Sequence, residues 1–262
     1  MQAVSGVFAS QAYADHAIET MLASGVNAYN ITLLAPGERR RQPERASLDA
    51  GEQPGARGAI GSVAGGSSGF TGGSILAAAV IPGVGSVTAV GLLGAAILGA
   101  AGGGAKSNGG ALEKSPAQTL PEDEIFVYED ALRKGRSVVI VLAENENAAE
   151  PLRALLRSEG AEPVDDARHR WWIDVRNAER EHYAASGRDF GRDEGFYRRG
   201  FEDALHARSR CKEFDQISAE MESNLADLQR QYPGNDIEEA YTRGYRRGRE
   251  YYQRFCEEKR AA

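Results

Sequence analysis

Charge is missing from one long stretch of this chain, and cysteine, tryptophan and histidine are scarce throughout. Gly58 to Ala105 contains no Asp, Glu, Lys or Arg, although 26% of the 262 residues are charged. The two cysteines, Cys211 and Cys256, are too far apart for a C-x-x-C pair and too few for a disulfide scaffold. Free thiols in a reducing cytoplasm are therefore expected. Met1 to Ser10 has neither a basic start nor a long apolar run, so no secretory signal is expected there. The net charge of −7 argues against a general polyanion binder.

Catalytic motifs are equally thin. No serine, cysteine or threonine stands in the context of an activated nucleophile. Gly103-Gly104-Ala105-Lys106-Ser107 lacks the glycine and the preceding strand that a phosphate-cradling loop needs. Glu179-x-x-His182 and Asp203-x-x-His206 have the carboxylate-histidine spacing of di-iron bundles, without the two further glutamates such sites require. His16 and His169 have no ligand-type neighbours. The expectation is a protein that is not an enzyme and carries no cofactor and no metal.

What the charge-free stretch does contain is glycine at regular intervals. Gly61, Gly65, Gly69 and Gly73 are spaced by four, as are Gly91, Ala95, Gly99 and Gly103. On helices this spacing makes a smooth stripe that a second backbone can approach closely. Pro82-Gly83-Val84-Gly85 separates the two halves as a turn. The pattern predicts a hairpin of two helices, about 36 and about 30 Å long at 1.5 Å per residue, enough to span a bilayer core. These eight residues are the expected surface for oligomerisation or membrane insertion.

Elsewhere the pattern is mixed. Val4 to Ala9 reads as a strand, Gln11 to Ser24 as a helix ended by Gly25, and Asn30 to Leu34 as a second strand. A polar, proline-containing linker covers Glu38 to Arg57 and another covers Lys106 to Thr119. Basic residues in both linkers would hold both ends of a spanning hairpin in the cytoplasm. A helix opens at Pro121-Glu122-Asp123-Glu124, and Ser137 to Leu142 reads as a central strand. A helix capped by Asn147, with Pro151 in its first turn, leads to a closing strand at Ala161 to Val164. The fold expected is α+β: a ferredoxin-like sandwich (β-α-β, β-α-β) over residues 1–170, interrupted by the helical hairpin at 58–105.

Residues 171–262 are charged, aromatic and poor in β-formers, and are expected to be helical. Tyr197-Arg198-Arg199-Gly200-Phe201 returns forty-four residues later as Tyr241-Thr242-Arg243-Gly244-Tyr245. Tyr197, Phe201, Tyr241 and Tyr245 are expected to form helix-packing faces with a small residue beside them. Between the two repeats, Ile217, Met221, Leu225 and Leu228 follow a helical period that Tyr232-Pro233-Gly234-Asn235 breaks. The Arg243 to Arg249 run has the composition of a single-strand nucleic-acid binder, but the surrounding acids dilute it, so nucleic acid is not an expected partner. Trp171 and Trp172 suit either an interfacial membrane anchor or a plug joining the two parts of the chain.

The β-α-β start, the charge-free hairpin, Pro121-Glu122-Asp123-Glu124 with Tyr128-Glu129, Lys134-Gly135 before the strand, and Val164-Asp165-Asp166 together resemble the general-stress-protein 17M type domain of bacterial proteins. The tail is similar to one that follows such domains, in which an aromatic-Arg-aromatic-Gly-aromatic helix occurs twice around a Pro-Gly break, with Tyr197 to Phe201, Tyr232 to Gly234 and Tyr241 to Tyr245 at those places. The resemblance implies a role in bacterial stress responses and carries no catalytic residues with it. The composite expectation is a non-enzymatic, self-associating stress-response protein anchored to the inner membrane by its glycine-zipper hairpin, with both termini cytoplasmic. The alternative is a soluble, cytoplasmic homo-oligomeric scaffold or shell protein whose hairpins pack together in its core. No small-molecule substrate is expected.

Overall fold

The structure, a computed structural model, describes residues 1–37, 76–81, 83–91, 93–101, 123–206, 214–234 and 236–261. It is an α+β fold. Six strands, β1 (Gln2–Phe8), β2 (Ile31–Pro36), β3 (Leu76–Ile81), β4 (Gly85–Val90), β5 (Ser137–Ala143) and β6 (Glu162–Pro163), form one sheet in the order β3-β4-β2-β5-β1-β6. Every neighbouring pair is antiparallel.

Side chains alternate between two covered faces. On the first, Val4, Phe8, Ile31, Leu33, Val139 and Val141 are buried under α1 (Gln11–Ala23) and α4 (Glu146–Ser158). On the second, Val7, Leu34, Val138, Ile140 and Leu142 are buried under α2 (Gly94–Ala101), α3 (Ile125–Arg133) and α5 (Val164–Ala184), with residues of α6 (Phe190–Leu205) and α8 (Glu238–Ala261) in the same core. Burial on both faces is why β5 reads as an unbroken run of apolar residues rather than an alternating one. The remaining helix, α7 (Phe214–Gln231), lays Met221, Leu225 and Leu228 against Ala204, Tyr241 and Tyr245.

The stretch expected to be a helical hairpin is different where it is described. The turn stands, with the Val84 N–H donating to the Ile81 carbonyl at 3.1 Å, but its arms are the strands β3 and β4. Ala77, Ala79, Ile81, Val87 and Ala89 face the core while Ala78 and Val80 face away. This is a period of two, which the four-residue glycine spacing hid. Gly91 is not part of a helix stripe: its φ is +122°, and a Cβ there would lie 2.3 Å from the Ile31 carbonyl oxygen. Gly91→Ala is therefore expected to cost at least about 2 kcal/mol in chemical denaturation, combining backbone strain with a clash against β2. Ala95 and Gly99 fall in α2, an eight-residue helix of about 12 Å. Gly61, Gly65, Gly69, Gly73 and Gly103 lie outside the described residues.

One smaller correction has a local cause. Asn145, not Asn147, caps α4, its side chain accepting from the Ala148 N–H at 3.0 Å. This moves Pro151 beyond the first turn and into the helix. The helix α5 runs without a break through residues 170 and 171, the expected domain boundary. Trp171 and Trp172, on that helix, are each 2% exposed. Trp171 meets Phe126 of α3 edge-on at 4.8 Å and Phe201 of α6 at 5.9 Å, so the pair plugs the sheet to the tail.

Candidate functional site

Three features of the chain stand out. The first is the crossing of α6 and α8, the most extensive helix contact among the described elements. A Cβ on Gly200 would sit 2.0 Å from the Tyr241 carbonyl oxygen, and one on Gly244 would sit 1.9 Å from the Tyr197 carbonyl oxygen. Each repeat thus presses its glycine on the tyrosine of the other, as internal two-fold symmetry requires. The four expected packing aromatics, Tyr197, Phe201, Tyr241 and Tyr245, are all buried to within 1%.

Both repeat tyrosines end on carboxylates of neighbouring helices. Tyr197 donates to Glu179 Oε2 at 2.8 Å, and Tyr241 donates to Asp203 Oδ2 at 2.9 Å. Burial, reinforced by these carboxylates, pushes both phenols well above their ordinary range. Arg247 grips Glu179 through Nε at 3.0 Å and Nη2 at 2.9 Å, while Arg199 Nε lies 3.0 Å from Asp203 Oδ1. Burial raises the Asp203 carboxyl against the lowering effect of Arg199 and Tyr241. Nearby, burial alone would raise Asp193, but hydrogen bonds from Arg192, Tyr183 and Arg188 outweigh it and hold that carboxyl at about 2.

The two Glu/Asp-x-x-His pairs thus spend their carboxylates on phenols and guanidinium groups. No cluster of three or more metal-ligating side chains occurs among the described residues. Tyr241, Tyr245 and Tyr252 are buried, out of reach of a nucleic-acid base, and Arg243 pairs with Glu239.

The second feature is the free side of the β3–β4 hairpin. Among the described residues β3 pairs only with β4, so its outer edge has no strand partner. Among the described residues α1 and α4 pack over β1, β2 and β5 and not over the corresponding face of the hairpin, where Ala78 is exposed, Val80 is 59% exposed, Ser86 is exposed, and Thr88 and Val90 are half-buried. No charged side chain interrupts this edge.

The third feature is a cleft of about 220 Å³ at the opposite end of the sheet, where β1 outruns its neighbour β6. Glu124, just ahead of α3, turns into it. Glu124 Oε2 accepts from the Ser5 hydroxyl at 2.8 Å and from the Tyr128 hydroxyl. Burial raises this carboxyl, the two hydrogen bonds opposing the shift, and burial likewise pushes Tyr128 well above its ordinary range. In the sequence Glu124 reads only as part of an acidic helix start; its partner Ser5 is 119 residues away, and no spacing signal reaches that far.

Compared with protein-family profiles, with curated proteins and with solved structures, the chain has no match.

Proposed function

We propose that this protein is a non-enzymatic, self-associating protein that pairs the edge of its β3–β4 hairpin with the same edge of a second copy. The observation that carries this reading is an edge strand with no partner on its outer side among the described residues. Sheet proteins that stay apart blunt their edges with lysine, proline, bulges or covering segments. Ala77-Ala78-Ala79-Val80-Ile81 has neither a charge nor a proline, and its exposed face is apolar. Antiparallel pairing of β3 with β3 about a two-fold axis is self-complementary, satisfies the free backbone groups and buries Val80.

A ferredoxin-like reading of the α+β fold is supported by the order β6-β1-β5-β2, in which α1 joins β1 to β2 and α4 joins β5 to β6. On this reading β3 and β4 extend the sheet as an inserted hairpin. A bacterial stress-response role rests on the resemblance described above. Among the described residues no helix is long and apolar enough to cross a membrane. Residues 76–101 serve the sheet, so inner-membrane anchoring rests on the uncharged residues 58–75 and is tested by carbonate-resistant sedimentation of the full chain.

Light scattering on the full chain without detergent tests self-association. The expected result is a dimer or larger species that Val80→Lys converts to monomer at the same concentration. Val80 is exposed, so the substitution should leave circular dichroism and thermal unfolding of the protomer intact. A monomeric wild type, or an oligomer indifferent to the lysine, would refute the edge-pairing proposal.

A further inference from the structure

We infer that the cleft beside β1 is a binding site for a small zwitterion, an amino acid or short peptide whose ammonium meets Glu124 and whose carboxylate meets Arg157. The cleft volume of about 220 Å³ is far above the ~10–15 Å³ that one water requires and below the ~300–1,000 Å³ typical of drug-sized ligands. Its walls carry both signs of charge. Glu124 and Asp165 stand on the α3 and α5 side, and Arg153 and Arg157 on α4.

The hydrogen bonding decides which of these groups are open to a ligand. Ser5 and Tyr128 both donate to Oε2 of Glu124, which leaves Oε1 as the acceptor for the cleft. Arg153 is taken by Glu146 at 2.6 Å and Glu150 at 3.1 Å. The Arg157 guanidinium is exposed and has no carboxylate partner among the described residues. One open carboxylate oxygen and one open guanidinium, on opposite walls, match a ligand that carries an ammonium and a carboxylate together.

The strand edge supplies the rest of the fit. The partner strand β6 meets β1 only at Gly6 and Val7, so Gln2 to Ser5 have no strand partner on that side among the described residues. These residues line the cleft, and the free strand edge suits a ligand that itself carries amide or ammonium hydrogens. Burial that disfavours the Glu124 carboxylate is relieved when an ammonium sits against it, so the site favours a cation over water.

The test is a calorimetric titration of the full chain with L-alanyl-L-alanine at neutral pH, alongside its N-acetylated form and its C-terminal amide. Saturable binding of the zwitterion is expected, with the two blocked forms weaker by at least about tenfold, the usual effect of losing one charge-assisted hydrogen bond. Glu124→Gln should weaken the free dipeptide to a similar degree. So should Arg157→Ala, an exposed substitution that does not threaten folding. Affinity should fall as the medium is acidified and Glu124 takes up a proton; Asp123, Asp165, Arg153, Arg157, Arg168 and Tyr128 are the charged or titratable groups around it. No saturable binding, equal binding of a blocked form, or a wild-type affinity in either variant would overturn the proposal. Tighter binding of the amide alone would make the site one for simple amines, and tighter binding of the acetylated form alone one for simple carboxylates; either overturns the zwitterion.

Discussion

Gly200→Leu and Gly244→Leu should each destabilise the protein by about 3 kcal/mol or more, at the upper end of what overpacking costs, and lower its Tm by roughly 10 °C. A Cβ at either position stands about 2 Å from a carbonyl oxygen of the facing helix. Backbone cannot swing aside as a flexible side chain can. To restore ordinary contact near 3.4 Å, α6 and α8 would have to part by roughly 1.4 Å along their closest approach. That movement would open gaps around Tyr197, Phe201, Tyr241 and Tyr245 together, and every buried ring would lose contacts it now makes. Gly195, on the same helix, is the internal control. A Cβ there meets nothing within 4 Å, so Gly195→Ala should stabilise by up to about 1 kcal/mol through helix propensity. Thermal unfolding of the three variants separates the two roles of glycine: if Gly200→Leu and Gly195→Ala shift the Tm alike, close helix approach is not what holds the tail together.

Two helices carrying Tyr-x-Arg-Gly-aromatic could be read from period and repetition, because both are local properties of a helix surface. That the repeats face each other depends on a loop closing forty-four residues, which no local pattern encodes. The strands β1, β2 and β5 were legible for a related reason. Their apolar runs are short, bounded by turn residues and rich in β-branched side chains.

The four-residue glycine spacing points to helices where the chain forms β3 and β4, because absence of charge reports burial, not conformation. In Leu76 to Val90, alanine, valine and glycine fit a smooth helix and a strand equally well by composition. The deciding facts are the positive φ values of Gly83, Gly85 and Gly91, which only a turn and a strand end require. The cleft was invisible for a different reason. Ser5, Glu124 and Arg157 come from β1, the start of α3 and α4, and nothing but the folded sheet brings them together.

Arg247→Met is the second substitution expected to have a large effect. Glu179 is 4% exposed and depends on Arg247 for its countercharge; Tyr197 supplies a hydrogen bond but no charge. The bidentate contact with Glu179 is also the largest influence raising the Arg247 guanidinium above its ordinary range. Removing one partner of a buried pair leaves the other as an uncompensated charge, typically at a cost of about 3–5 kcal/mol, whereas removing both can be close to neutral. Chemical denaturation should therefore show a large loss for Arg247→Met and a substantial recovery when Glu179→Leu is added. The pair joins α5 to α8 across the same crossing that Gly200 and Gly244 make possible, and Tyr197 of α6 binds the same carboxylate. If the double variant is no more stable than Arg247→Met alone, the guanidinium acts through packing of its stem rather than through its charge.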